Sequence, residues 1–294
     1  LTREVVWTRD EPRCPRPHFR ERVVLHAYSG RRRPGDLQWF IDQAVQRKQM
    51  GPVMVVSVDL VIDSTWGDIS KSSTQRFWLD AIASGLVLAM LSGPPCCTWS
   101  IARGKEDRSL QAKGRHGPRA IRTREFLWGL QSLSLREMKQ IHDGHILLGF
   151  SLHAMMLLAM ADGLGILEHP GEPAEESAAS IWRLPLVQLL LRLPGFALRE
   201  CAQGLFGAVS TKRTGLLTLN LTELPVHLRA NMIRKELPRA ATIGVDEEGR
   251  YKTAVLKEYP PALCKGLAEA FLHHFPPVDG QRSEEHTSEL QSRE

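Results

Sequence analysis

The chain has 294 residues, of which 43% are hydrophobic and 24% charged, with 38 lysines and arginines against 33 aspartates and glutamates. That length can bury one sizeable core with room for a small annex, and the composition is that of a globular protein. The longest apolar stretch, Ile146 to Met160, contains His153 and is too short to cross a bilayer, so no membrane is expected. A net charge of +5 favours a polyanionic partner only modestly. Five cysteines (Cys14, Cys96, Cys97, Cys201 and Cys264) are scattered, odd in number and without a CxxC pair. They argue for a reducing compartment, against secretion, and against a disulfide framework or a zinc site.

Residues 1–22, rich in Arg and Pro, read as an extended lead-in that opens without Met or an apolar signal, so the chain reads as part of a longer product. An α/β domain is expected over 23–277. Val23 to Ala27 is a short buried strand that ends in a turn at Ser29-Gly30. Apolar residues at 37, 40, 41, 44 and 45 give helical spacing within Gly35–Gln49. "GPVMVVSVDLVID" is a second strand, "TQRFWLDAIASG" a second helix and "LVLAMLSGPP" a third strand. This βαβαβ order, with nearly all-apolar strands, predicts a Rossmann-like, mostly parallel sheet with helices on both faces. A basic insertion follows at about 101–124, where Arg103, Lys105, Arg108, Lys113, Arg115, Arg119, Arg122 and Arg124 face only Glu106 and Asp107. Helices are expected over Phe126–Ile141, Leu147–Ala161 and Leu186–Leu193, and strands at Gly165–Leu167 and in "KRTGLLTLNL". A polar variable region spans about 216–256, and "EYPPALCKGLAEAFLHHF" closes the domain with a helix. Residues 278–294 read as a non-native tail, because Arg282 to Glu294 resembles a translated sequencing adapter. Removing the two arginines and four glutamates of that adapter-like run raises the net charge to +7.

Ligands of such sheets bind beyond the carboxyl ends of the strands. Those ends carry Ser29-Gly30, Asp59 and the tip "SGPPCCTWS", with Glu168 ending a further strand. A thiol and a carboxyl in one crevice suit addition to an electron-poor ring. An electropositive loop would lower the pKa of a thiol there. Taken singly, each residue has a plainer reading: Asp59 and Asp68 as turn caps, Glu168 as a solvated loop residue, Cys96 and Cys97 as small buried residues, and Arg31–Arg33 and 101–124 as solvated surface.

The order of these landmarks resembles the cytosine-5 DNA methyltransferase family, which has the class I methyltransferase type of fold. "AYSG" at 27–30 is similar to the turn that touches the methyl donor S-adenosylmethionine. "VSVD" ends at Asp59, where the family has an acid for the donor's ribose, and "GDI" places Asp68 at the adenine. "GPPC" at 93–96 resembles the catalytic loop, with Pro94 at the donor and Cys96 as nucleophile. "LEHP" puts Glu168 at the target base and His169 where the family has Asn. "KRT", after Gln203 and Gly207, places Arg213 in a later arginine-bearing motif. "YPPALCKGLAEA" is similar to the closing Pro-Pro element, with Pro261 at the donor pocket. The resemblance spans about 23–275 and implies methyl transfer from S-adenosylmethionine to C5 of cytosine in DNA through a covalent Cys96 adduct. The base would be flipped out of the duplex, phosphates would be gripped by 101–124, and the protein would be nuclear or cytoplasmic. The same set is similar to modules of mobile-element (transposable-element) polyproteins. That leaves open a catalytically inactive, nucleic-acid-binding module, a reading favoured by Arg31–Arg33 in the first turn. A cysteine hydrolase is a third reading, in which none of His116, His142, His145, His153 and His169 is singled out by spacing.

Overall fold

Strands β1 (Arg22–Ala27), β2 (Val53–Val58), β3 (Val87–Ser92), β4 (Leu164–Pro170), β5 (Phe196–Ala202) and β6 (Arg213–Leu219) form one sheet in the order β2-β1-β3-β4-β6-β5. The structure is a computed structural model that describes residues 22–47, 53–103, 117–238 and 257–275. The lead-in before 22, the centre of the basic insertion, most of 239–256 and the tail lie outside the described residues. β1 to β4 pair in parallel, whereas β6 runs antiparallel to both β4 and β5. The sheet is therefore mixed, a correction to the mostly parallel expectation. The connection from β5 to β6 is a short one through residues 203–212, and so short a link allows only antiparallel pairing.

The described helices are α1 (Leu37–Gln46), α2 (Ser72–Ala83), α3 (Leu135–Met160), α4 (Pro185–Leu190), α5 (Leu224–Ala230) and α6 (Pro261–His273). Alternation along each strand sends side chains to opposite faces. Val23, Leu25, Met90, Leu167 and Leu217 join one apolar cluster with α2, α3 and α4. Val24, Ala89, Leu91, Ile166 and Leu216 join a second cluster with α1, α5 and α6. Both faces are thus covered, which is why the strands read as unbroken apolar runs.

Two helices expected over 126–161 are a single one. Ser134 caps it, accepting from the Glu137 amide while the Glu137 carboxylate accepts from the Ser134 amide, and this capping box starts the helix later than apolar spacing suggests. At 26 residues α3 is long and apolar enough to cross a membrane by length and composition. Its inner face, with Leu148, Phe150, Leu152, Met155 and Leu158, is buried in the core. β5 and α5 were not foreseen. β5 is an edge strand carrying Arg199 and Glu200 at exposed positions, and α5 has only seven residues.

From β1 the chain moves to β2 on one side and returns through β3 on the other. That reversal opens a crevice at the carboxyl ends of β1 and β3. Ile166, fully buried on central β4, reports on the frame of that crevice. Ile166→Ala is expected to cost about 2–5 kcal/mol in urea unfolding; a loss below about 1 kcal/mol would contradict its central place.

Candidate active site

The turn after β1 is built for close approach. Gly30 has φ +68°, and a Cβ placed on it would meet nothing within 4 Å. Its amide donates to Asp59 Oδ2 at 2.9 Å, and Asp59 Oδ1 accepts from the Val61 amide at 2.9 Å. Ser29 joins through its amide to the Val58 carbonyl at 3.3 Å. A carboxylate has about four lone-pair sites, so Asp59 keeps acceptors for a ligand. Gly67 lies so close to the Asp59 carbonyl that any Cβ would collide at 2.0 Å, which brings Asp68 beside Asp59. Asp68 accepts from Ser70 Oγ and sits 3.5 Å from Lys71 Nζ. The Ser70 bond leads in holding its carboxyl below the ordinary value. Pro261, at the start of α6, packs on Gly35 of the same turn. Arg32 and Arg33 are turned away from Gly30: Arg32 bonds Asp36 at 2.7 Å, and Arg33 bonds the Tyr259 carbonyl at 2.6 Å and pairs with Glu258 at 3.3 Å. Arg33 is a tether of the turn, and the solvated-surface reading is corrected for it; Arg32 is exposed at the surface, as that reading has it, while bonding Asp36.

Cys96 stands beyond β3, after buried Pro94, at the head of a turn in which its carbonyl accepts from the Trp99 and Ser100 amides. The thiol is half-buried, whereas Cys97 is exposed. Burial first, and the Glu168 carboxylate second, push the Cys96 thiol up to about 11, while Lys212 pulls it down. The expected electropositive lowering is corrected: within the described residues the basic insertion is engaged elsewhere, and a carboxylate is what the sulfur feels most among charges.

Glu168 on β4 is 7% exposed. Its Oε1 accepts from Gln203 Nε2 at 3.3 Å and pairs with Lys212 Nζ at 3.5 Å, and its Oε2 accepts from Tyr259 Oη at 3.1 Å. Gln203 also donates to Thr214 Oγ1 at 3.0 Å. Lys212 has φ +27°, a strained backbone for a residue with a side chain, of the kind that gathers at functional sites. Burial and Glu168 hold the Tyr259 phenol well above its usual value, so it stays a donor. Arg213 is not in this group, a correction to the sequence reading. Thr214 pairs with Pro170 and so shares the Glu168 face, which alternation denies to Arg213. Its guanidinium bonds Glu200 on β5 at 3.1 Å.

The Cys96 loop is braced from behind. His169 lies edge-on between Trp99 and Trp182, with ring centroids 6.2 and 6.3 Å away. Arg122 covers the Trp99 ring at 3.9 Å, donates to Thr98 Oγ1 at 3.1 Å and meets His145 Nε2 at 2.9 Å. Four cations of the insertion are described, and each has protein partners: Arg103 with Gln140, Arg119 with Glu137, Arg124 with Glu176, and Arg122 as above. Lys105, Arg108, Lys113 and Arg115 lie outside the described residues. A cavity of about 360 Å³ opens beside this bracing, lined by Thr98, Trp99, Ser100, Arg103, Arg122 and Glu175 among others, and neither Cys96 nor Glu168 lines it. Among the described residues no group of three His, Cys, Asp or Glu could hold a metal.

Glycine freedom at 30, acceptors on Asp59, the nearby Asp68 and the packing of Pro261 fit a nucleoside-bearing methyl donor. Sequence reasoning missed Tyr259, Lys212 and Arg122, because each acts through a contact made far along the chain. The signal within reach was Tyr259 standing directly before Pro260-Pro261. No family model matches the chain, and no curated protein matches it.

Burial holds His169 down to about 3 from its ordinary 6.5, with Lys212 and Arg122 adding to the effect. Protons therefore bind the unfolded chain in preference between these two values, and stability falls as pH drops through that window. His169→Gln is expected to remove about one proton, ~1.4 kcal/mol per pH unit, from the slope of unfolding free energy between about pH 6 and about pH 4. An unchanged slope would contradict a neutral, buried imidazole.

Proposed function

We propose that this chain is a class I methyltransferase-type domain that moves a methyl group from S-adenosylmethionine to C5 of cytosine in DNA. The observation that carries this reading is the gathering of Gly30–Asp59, the Cys96 thiol and the buried Glu168 carboxylate at the carboxyl ends of β1 to β4. Helices on both faces and a crevice at the β1–β3 reversal support the fold assignment.

Ser29, Gly30, Asp59, Asp68, Pro94 and Pro261 would hold the donor. S-adenosylmethionine, when bound, supplies an electrophilic methyl group. Cys96 Sγ forms a bond to C6 of the flipped base, and the electron pair of the C5–C6 double bond moves to C5, the atom that takes the methyl. The thiol proton would pass to the Glu168 carboxylate as the bond forms. Glu168 is the carboxylate whose charge acts on that sulfur, and once protonated it is the donor that ring N3 requires. Loss of the C5 proton to a base and breakage of the Sγ–C6 bond restore the double bond and the cysteine. Lys212, the chain neighbour of the Arg213 chosen from sequence, is the cation beside Glu168.

A second reading, an inactive module that retains the fold and binds nucleic acid, is favoured by the thiol pushed up to about 11. Calorimetric titration with S-adenosylmethionine separates the two, because only the first reading requires binding. The chemistry is tested on duplex DNA containing 5-fluorocytosine, with covalent adduct followed by gel shift and mass spectrometry. Adduct from the unaltered chain and from Cys97→Ser is expected, with a loss of at least about 100-fold in Cys96→Ser. Adduct persisting in Cys96→Ser, or lost only in Cys97→Ser, would contradict the assignment of the nucleophile.

A further inference from the structure

Tyr259 lies 91 residues from Glu168 in the chain, in the segment that leads into α6, yet its phenol reaches the Glu168 carboxylate at 3.1 Å. The main chain of the same residue is held from the other side, where Arg33 donates to its carbonyl at 2.6 Å. The opposite wall of the phenol is Gly93, the first residue of the Gly-Pro-Pro-Cys tip. A Cβ on Gly93 would stand 2.3 Å from Tyr259 Oη, 3.5 Å from its Cζ and 3.6 Å from Glu168 Oε2. One phenol oxygen therefore occupies the space that a side chain at 93 would need. It touches both the strand tip that carries Cys96 and the carboxylate that faces it.

The accounting of donors on Glu168 gives this contact a purpose. Gln203 and Lys212 both address Oε1, and Tyr259 is the donor described on Oε2. Two donors on one oxygen and one on the other fix the rotation of the carboxyl plane, leaving an acceptor site on Oε2 for a ligand. Without the phenol, Oε2 has no described partner and the carboxylate can swing about its terminal torsion, which is broad for Glu.

We infer that Tyr259 is a positioning residue for the proposed methyl transfer: its hydroxyl locks the plane of the Glu168 carboxyl against the Gly93–Cys96 tip, so that the carboxyl meets the N3 edge of the same base whose C6 the thiol attacks. This rests on the methyl-transfer reading for its catalytic consequence, but the contact itself does not.

The test has two arms on the full chain. The first is a stability cycle that needs no activity. Gly93→Ala drives a methyl group into the phenol oxygen, and its melting temperature is expected to fall by about 4 °C or more. In a Tyr259→Phe background the same methyl meets only ordinary contacts, and its cost is expected to shrink to about 1 °C or less. An equal cost in both backgrounds would overturn the contact. The second arm is adduct formation on 5-fluorocytosine duplex in the presence of S-adenosylmethionine. Tyr259→Phe is expected to slow adduct formation at least about 10-fold, with donor affinity within about two-fold of the unaltered chain. In Glu168→Gln, adding Tyr259→Phe is expected to have no further effect. A wild-type rate in Tyr259→Phe, or the same slowing with and without the Glu168 carboxylate, would overturn the positioning role. Absence of adduct from the unaltered chain would overturn the methyl-transfer reading and the role claimed within it, and the stability cycle distinguishes that failure from failure of the contact.

Discussion

A carboxylate taken out of water survives in a fold only if donors replace the hydration it loses, because an unpaired buried charge costs several kcal/mol. Glu168 meets this demand with three donors from three parts of the chain: Gln203 after β5, Lys212 before β6 and Tyr259 before α6. The demand explains the shape of the C-terminal half. β6 must run against β4 so that residues 212 and 214 arrive beside the end of β4, and α6 must begin where its leading tyrosine reaches the same oxygen pair. The Arg33 tether then fastens the turn after β1 to that point, so the proposed donor side and the thiol side share one anchor.

The thiol follows from the same arrangement. A half-buried sulfur beside an anion is held neutral, and Lys212 offsets only part of that effect. A resting thiol that is protonated and shielded from solvent is protected from oxidation, since the thiolate is the reactive form. A ligand that draws the Glu168 charge into a hydrogen bond weakens one of the influences holding the thiol up.

The sheet around the crevice was legible where burial on both faces leaves an unbroken apolar run: β1, β2, β3 and the core of β4 are of this kind. Cys96 and Glu168 were legible because they terminate such runs. β5 was hidden, since an edge strand can carry Arg199 and Glu200 on exposed positions without cost. The long α3 was divided in the sequence at the polar, glycine-bearing run His142-Asp143-Gly144-His145, and its start was set early because apolar residues continue through the loop before Ser134, where only the capping box marks the start. Arg213 was preferred over Lys212 because a motif names residue types, whereas the face each side chain takes depends on pairing with β4. Tyr259 stood beside the Pro260-Pro261 signal, but its partner is set by tertiary contact and is not written in its neighbours.

The electrostatic link between residues 96 and 168 is open to direct measurement. In a Cys97→Ser background, the rate of Cys96 alkylation by iodoacetamide can be followed against pH, with modified peptides resolved by mass spectrometry. The unaltered carboxylate should give a thiol titrating near 11. Glu168→Gln, which removes the negative charge but keeps a group of similar size, should move that titration to lower pH. Identical curves with and without the charge would mean that the sulfur and the carboxyl do not share a crevice.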